Sequence, residues 1–179
     1  MKLPIKVGLI ASLVWISIKL IAFSQSISLD DLKPFVFINM FILTAAIAIA
    51  LYLVKRHETE SNLLNDIKNG MLAGVPYTVI VSVFLYFYYQ KIYPEFNAKK
   101  INEIEIKLSN PKTIKEIQKS NIAMENKSSD EIKRDVMSKT EMVYNANFTM
   151  LVSMLSLLLY STLNSIVISV IFRRIIFRN

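Results

Sequence analysis

Apolar residues gather in four long runs that contain almost no charge, and polar residues fill the stretches between them. A helix needs roughly 20 apolar residues to cross the hydrocarbon core of a bilayer, with a working range of about 17–25. A soluble domain can bury one such helix, but four together indicate membrane spans. The pattern therefore predicts an all-α, polytopic membrane protein with four transmembrane helices, at 7–23, 35–54, 70–89 and 148–172.

The first run also fits a second interpretation. Lys2 and Lys6 precede an apolar stretch that ends in "AFS", the layout of a secretory signal with a cleavage site after Ser24. We favour an uncleaved first span. Lys19 interrupts this run about 6 Å along the helix from Phe23, so its ammonium is expected to reach the membrane boundary. A lysine inside a span is also a candidate functional residue, although no other predicted span holds an acid to pair with it.

Lys and Arg in the short flanks predict the orientation. The N-terminus, the linker at 55–69 and the C-terminus carry eight of these residues, whereas the linker at 24–34 carries only Lys33. Short cytoplasmic segments hold the excess of positive charge, so both termini and 55–69 are predicted to be cytoplasmic in a bacterial inner membrane. The apolar positions from Leu63 to Met71 fit either a short helix along the inner membrane surface or an ordinary solvated linker.

The hydrophilic segment at 91–147 then lies outside, as a helical arm between the third and fourth spans. Apolar spacing predicts a helix over 94–108, and "SNP" at 109–111 supplies a stop, a cap and a first-turn proline for another helix. The predicted organisation is therefore 1–90 with three spans, 91–147 as the extracytoplasmic insert, and 148–179 as the fourth span with a basic cytoplasmic tail.

The last helix of the insert is predicted to begin at a capping box. Ser128 and Glu131 have the required spacing, and neither Gly nor Pro occurs after Ser128. We therefore expect one continuous helix from Ser129 through the fourth span, about 66 Å long. The alternative is a break at "YNANF", residues 144–148, because asparagine is a poor helix former.

Small residues recur at four-residue steps in two spans. Gly70 and Gly74 form G-x-x-x-G and Thr78 and Ser82 extend the row, while the fourth span offers Ser161, Ser165 and Ser169. Such rows let two helix backbones approach closely. They fit packing among the chain's own helices, which we favour, or contact with another copy in an oligomer.

Two asparagines lie inside predicted spans, Asn39 in the second and Asn164 in the fourth. An unpaired amide in hydrocarbon is costly, so each is expected to face another helix. Interhelical hydrogen bonding is the interpretation we favour, and lining of a polar pathway is the alternative.

The composition argues against nucleic-acid binding, against metal or cofactor binding, and against catalysis. The net charge is +7, but the insert holds eleven Lys and Arg against nine acids, which is no basic patch, so a nucleic-acid partner is not expected. The chain has no Cys and a single histidine, His57, so neither metal nor cofactor is expected. No predicted span contains Asp, Glu or His, and phosphate-binding or hydrolase motifs are missing, so we expect no enzymatic activity.

This layout and four short segments of the chain resemble the domain of unknown function 4199 family. The segments are "KVGLIASLVWI" at 6–16, "IKNGMLAGV" at 67–75, "YPEFNAKKI" at 93–101 and "VISVIFRRI" at 167–175. The resemblance implies a four-span bacterial membrane protein, of a kind found mainly in Bacteroidota, and no known activity. Two functional hypotheses remain open. One is an accessory or assembly subunit whose arm contacts a protein partner; the other is a small oligomeric transporter or channel-like protein.

Overall fold

The computed structural model describes residues 1–27, 33–57 and 62–176, and every regular element in these ranges is helical. Its α-helices are α1 (Leu3–Ser24), α2 (Lys33–His57), α3 (Leu63–Phe87), α4 (Pro94–Leu108), α5 (Pro111–Ser120), α6 (Ser129–Val143) and α7 (Ala146–Ile171). Two π-helical turns follow α3 and α7, at Tyr88–Ile92 and Phe172–Ile176, and a 3-10 turn occupies Ile122–Met124. The predicted all-α class is confirmed.

Within the described ranges, four helices are long and apolar enough to cross a bilayer: α1, α2, α3 with its π-helical turn, and α7 with its own. Their outward faces carry large apolar side chains with high exposure, as on Leu13, Phe41 and Leu155. Lipid tails are as apolar as these side chains, so the faces need no protein cover in the hydrocarbon of a bilayer. Each helix also satisfies its own backbone hydrogen bonds there. The chain is therefore a multi-pass membrane protein that contacts the lipid bilayer.

The chain divides into two compact units, of which the first holds Met1–Phe84 and Leu151–Asn179. Its core is a bundle in which α1 packs against α2. One face of α2 is fully buried through Leu43, Ile47 and Leu51, which recur at four-residue steps. Trp15 of α1 is also buried, and its ring meets Phe84 of α3 edge to face, with ring centroids 6.0 Å apart.

The second unit, Leu85–Met150, contains the insert. Ile114 of α5, Met124 of the 3-10 turn and Ile132 of α6 form a small buried core. Phe96 of α4 packs against Tyr89, with ring centroids 5.3 Å apart. The helix over 94–108 is confirmed as α4, and Asn110 caps α5 by accepting a hydrogen bond from the main-chain N–H of Lys112 at 3.0 Å. The insert is thus a folded unit with its own apolar centre.

The capping box at the start of α6 is confirmed, but the continuous helix beyond it is not. Ser128 and Glu131 make both reciprocal hydrogen bonds. However, α6 ends at Val143 and α7 begins at Ala146, so the prediction of one helix into the fourth span is wrong. The reason is local: Asn145 Oδ1 accepts a hydrogen bond from the Asn147 N–H at 2.8 Å, which starts a new helix.

The third span also begins earlier than its uncharged run. Helix α3 starts at Leu63, so residues 63–69 are its first two turns rather than a separate helix or a solvated linker. Asn62 accepts a hydrogen bond from the N–H of Asn65 at 2.8 Å, which favours a helix start at this point. This early start places Asp66 in the same helix as the glycine row.

Candidate functional site

The small-residue rows of α3 and α7 lie against each other inside the first unit. A β-carbon built on Gly70 would stand 2.7 Å from Ser165 Oγ, and one built on Gly74 would overlap the Ser161 hydroxyl and stand 2.9 Å from its Cβ. Only glycine fits at these two positions without movement of the neighbour. The rows are therefore occupied by a contact between two helices of the same chain.

A similar close approach joins α1 to α3. A β-carbon on Gly8 would overlap the carbonyl oxygen of Ala73 and stand 2.9 Å from its carbonyl carbon. Gly8 was not among the residues singled out in the sequence, although Ser12 stands four positions later in the same uncharged stretch. All three glycines of the chain thus serve helix contacts.

Buried hydroxyls recur at four-residue steps along the same rows of α3 and α7. The hydroxyls of Thr78, Ser82, Ser161 and Ser169 are fully buried and make no hydrogen bond within the described part of the chain. Ser165 differs, because its Oγ donates to the carbonyl oxygen of Ser161 at 2.8 Å. The glycine contacts leave no lumen between the two backbones at Gly70 and Gly74, which weighs against a polar pathway at this point.

Asn39 and Asn164 each face another helix. The Tyr77 hydroxyl of α3 donates to Asn39 Oδ1 at 2.5 Å, deep in the bundle. Thr44 Oγ1 lies 3.4 Å from Asn164 Oδ1 and 2.9 Å from the Tyr160 hydroxyl. Both amides therefore hydrogen-bond across helix contacts, Asn39 between α2 and α3 and Asn164 between α2 and α7.

Lys19 is buried rather than extended into water. Its side chain is 3% exposed, and its Nζ lies 3.7 Å from the centroid of the Phe35 ring. A cation over an aromatic face is attracted by the ring quadrupole. The ammonium therefore lies against Phe35, the first residue of the predicted second span, and its position at the membrane boundary stays a prediction.

Among the described residues of the bundle, three charged side chains meet at Asp66, which was not singled out in the sequence. Its carboxylate is fully buried, and one oxygen, Oδ2, accepts a hydrogen bond from Arg173 Nε at 2.6 Å and lies 3.0 Å from Lys55 Nζ. Asp66 lies in the first turn of α3, Lys55 near the end of α2, and Arg173 in the π-helical turn after α7. We name Lys55, Asp66 and Arg173 the Asp66 triad.

The burial of the triad explains its composition. A carboxylate removed from water is stable only with compensating charge and hydrogen bonds, and two cations supply both here. Lys55 is also nearly buried, whereas the Arg173 side chain is about a third exposed. The triad therefore joins three helix ends at one carboxylate.

The surface of the insert carries both charged contacts and exposed apolar groups. The main-chain N–H and hydroxyl of Ser128 hold the pKa of Glu131 below its usual range, and an ion pair with Lys127 does the same for Asp135. Ile122 of the 3-10 turn is 91% exposed. In the described ranges no group of three or more His, Cys, Asp or Glu side chains is placed to hold a metal ion.

The chain matches the family model described as "Protein of unknown function (DUF4199)" over residues 6–174, nearly its whole length. Comparisons with curated proteins and with solved structures gave no match.

Proposed function

The chain belongs to the DUF4199 family of proteins of unknown function, and we propose that it is a non-enzymatic accessory or assembly subunit of a bacterial inner membrane. Its insert at 91–147 is the surface that a protein partner contacts. Both termini are cytoplasmic in this proposal, and the insert is extracytoplasmic, as the asymmetry of Lys and Arg favours. The contribution of Gly8 and Trp15 to the bundle supports an uncleaved first span.

Ile122 is the residue that carries this proposal. It is 91% exposed, while its neighbour Met124 is buried with Ile114 and Ile132 in the core of the same unit. The insert therefore does not need Ile122 to fold. In protein interfaces, a few anchor side chains that enter pockets of the partner carry most of the binding energy, and an apolar side chain that stands out from a folded surface has the geometry of such an anchor.

The turn that presents Ile122 is held in place. The main-chain N–H of Met124 donates to the carbonyl of Asn121 at 2.8 Å, and Gln118 Nε2 donates to the carbonyls of Glu125 and Lys127, both at 3.1 Å. A surface ordered before binding loses less conformational entropy when a partner docks. This order supports a binding role over that of a mere connection between two spans.

The alternative, a small oligomeric transporter or channel-like protein, has less support. Its candidate polar residues are engaged in helix contacts, Asn39 with Tyr77 and Asn164 with Thr44. The glycine row faces α7 of the same chain, so it is not available to a second copy. These contacts weigh against a lumen and against an oligomer built on that row.

Co-purification tests the proposal. The tagged full-length chain is extracted from native membranes at low detergent, and proteins that accompany it are quantified for the parent, Ile122→Asp and Lys119→Asp. Lys119 is an exposed residue at the end of α5, so its change introduces the same carboxylate three positions away. We expect one partner to fall about tenfold or more with Ile122→Asp and to remain with Lys119→Asp. A partner retained equally by both variants, or none above background, would refute the proposed interface.

A further inference from the structure

A partly open cavity of about 400 Å³ lies within the first unit, where α1 begins, α2 ends and α3 begins. Its polar lining comes from Lys2, His57, Asn65 and Asn69. We name this the helix-end cavity. Its volume is in the range of small-molecule sites, and neither the Asp66 triad nor the insert includes its lining residues.

The polar groups of the helix-end cavity favour an anion. Lys2 provides an ammonium, His57 an imidazole N–H donor in either protonation state, and Asn69 an amide donor. The cavity lies at the first turns of α1 and α3, whose N-termini carry the positive end of the helix dipole.

Apolar residues complete the wall and indicate the kind of anion. Leu53 and Val54, from the last turns of the membrane-spanning α2, also line the helix-end cavity. A cavity that combines hydrogen-bond donors with aliphatic groups, at the end of membrane-spanning helices, fits a lipid headgroup together with its glycerol. Basic pockets between helices at this level are sites for anionic phospholipids.

We propose that the helix-end cavity binds a phosphate-bearing anion, and that the phosphate is the headgroup phosphate of an anionic phospholipid. Lys2 and His57 contact the phosphate oxygens, Asn65 and Asn69 complete the donor set, and Leu53 and Val54 contact the glycerol and upper acyl carbons. The inference is independent of the proposed function, because it concerns a different unit of the chain.

Purified full-length protein tests this in two measurements, native mass spectrometry of bound lipid and thermal unfolding in detergent. The added probes are dioleoylphosphatidylglycerol, dioleoylphosphatidylcholine and inorganic phosphate. We expect phosphatidylglycerol to bind and raise the melting temperature, and phosphatidylcholine to do so much more weakly. Phosphate that displaces phosphatidylglycerol supports a shared phosphate site. Stabilisation by phosphate alone supports the site and assigns it to free phosphate.

Two matched pairs of variants locate the binding. Asn69→Asp places a carboxylate in the helix-end cavity, and Asn62→Asp places one at the N-cap of α3, outside the lining, where Asp caps as well as Asn. Lys2→Gln/His57→Gln removes the ammonium and the imidazole from the lining, and Lys6→Gln/Arg56→Gln removes exposed charges from the same two helices.

We expect phosphatidylglycerol affinity to fall about tenfold or more in Asn69→Asp and in Lys2→Gln/His57→Gln, and by less than about threefold in the two control variants. Equal losses in variants and controls would show a diffuse electrostatic attraction and overturn the site. Equal binding of phosphatidylglycerol and phosphatidylcholine, with no effect of phosphate, would overturn it as well.

Discussion

Arg173 Nε lies 2.6 Å from Asp66 Oδ2, which joins the turn after α7 to the first turn of α3 across 107 positions of the sequence. Lys55 Nζ lies 3.0 Å from the same oxygen, so three helix ends meet at one carboxylate. A membrane bundle gains little from the hydrophobic effect between its helices, and polar contacts at helix ends therefore contribute much of its specificity.

We expect Asp66→Asn to destabilise the bundle by about 2–4 kcal/mol, because it removes the buried negative charge that pairs with Lys55 and Arg173. The figure is at the low side for a buried ion pair since Arg173 is about a third exposed. Unfolding by SDS in mixed micelles measures the change. Glu103→Gln, which removes a half-exposed acid paired with Lys100 on α4, is the control and should cost less than about 1 kcal/mol.

A result in which Asp66→Asn matches Glu103→Gln would contradict a structural role for the triad. The double variant Asp66→Leu/Arg173→Leu gives a second check. It removes both charges of one pair, so it is expected to be less destabilised than Asp66→Leu alone.

The pairing of Asp66 with Arg173 could have been inferred from the sequence, but only by extending the two rows of small residues beyond the uncharged runs. Asp66 stands one four-residue step before Gly70, and Arg173 stands one step after Ser169. Extended in this way, the two antiparallel rows bring the acid and the base to the same end. This extension of the row was missed because Asp66 lies outside the uncharged run 70–89. The count of charged residues therefore assigned Asp66 to the linker at 55–69. Hydropathy alone therefore predicted the spans and missed the site.

The contact between Gly74 and Ser161 predicts that a substitution at one position can be compensated by a substitution at the other. Gly74→Ala is expected to destabilise the bundle by about 1–3 kcal/mol, because the new methyl group overlaps the serine side chain. Adding Ser161→Gly removes that side chain and should restore most of the loss, less about 0.5–1 kcal/mol for glycine within a helix. SDS unfolding of the single and double variants measures both effects.

Val79→Leu is the control for this pair, because Val79 is on α3 with an exposed side chain and should accept a methylene group with little cost. Leu85→Ala would be a poor control, since Leu85 is buried. Failure of Ser161→Gly to relieve Gly74→Ala would mean that the two positions are not in contact.

The capping box gives α6 a dependence on acid. Ser128 N–H and Oγ both lie 2.8 Å from Glu131 Oε2, and they lower the pKa of Glu131 from its usual 4.5. A carboxyl with a depressed pKa in the folded state stabilises that state above its unfolded pKa, and this stability is lost as the pH falls through the folded pKa. The first turn of α6 is therefore expected to lose protection as the pH falls from about 4.5 downward.

Hydrogen-exchange protection factors at 129–132, corrected for intrinsic rates, measure this loss. Glu131→Gln keeps a capping-box residue without a titrating group, so its protection should change much less over the same pH range. Glu116→Gln removes an exposed carboxylate from α5 and should leave the dependence of α6 intact. Equal acid sensitivity in Glu131→Gln and the parent would assign the effect to other groups.

The orientation predicted from Lys and Arg is open to direct labelling, because the chain contains no cysteine. Ser120→Cys, in the insert, is expected to react with a membrane-impermeant maleimide in intact spheroplasts. Lys68→Cys, at an exposed position near the start of α3, should react only after permeabilisation. The reverse pattern would place the insert in the cytoplasm and invert the proposed topology.

The break before α7 shows what helical spacing cannot decide. Apolar positions keep the helical period through Val143 and Leu151, and no Gly or Pro interrupts them. Two hydrogen-bonding arrangements compete at Asn145. Its side chain can accept a hydrogen bond from a main-chain N–H that follows it, or the main chain can continue the regular hydrogen bonds of α6. Both results are compatible with the residues, and the energy that separates them is about that of one cap.

Asn145→Ala tests that competition. Asn145 Oδ1 accepts a hydrogen bond from the Asn147 N–H at 2.8 Å, and its carbonyl accepts from the Thr149 N–H at 2.9 Å. Loss of the side-chain cap costs about 1 kcal/mol, so amides at 147–149 should exchange about fivefold faster. Asn147→Ala is the matched control, because it keeps the bonded N–H and improves helix propensity, so exchange should be unchanged or slower. Slower exchange across 143–149 in Asn145→Ala would mean that alanine had joined α6 to α7. The cap would then be the sole cause of the break, whereas unchanged exchange would show that the break does not depend on Asn145.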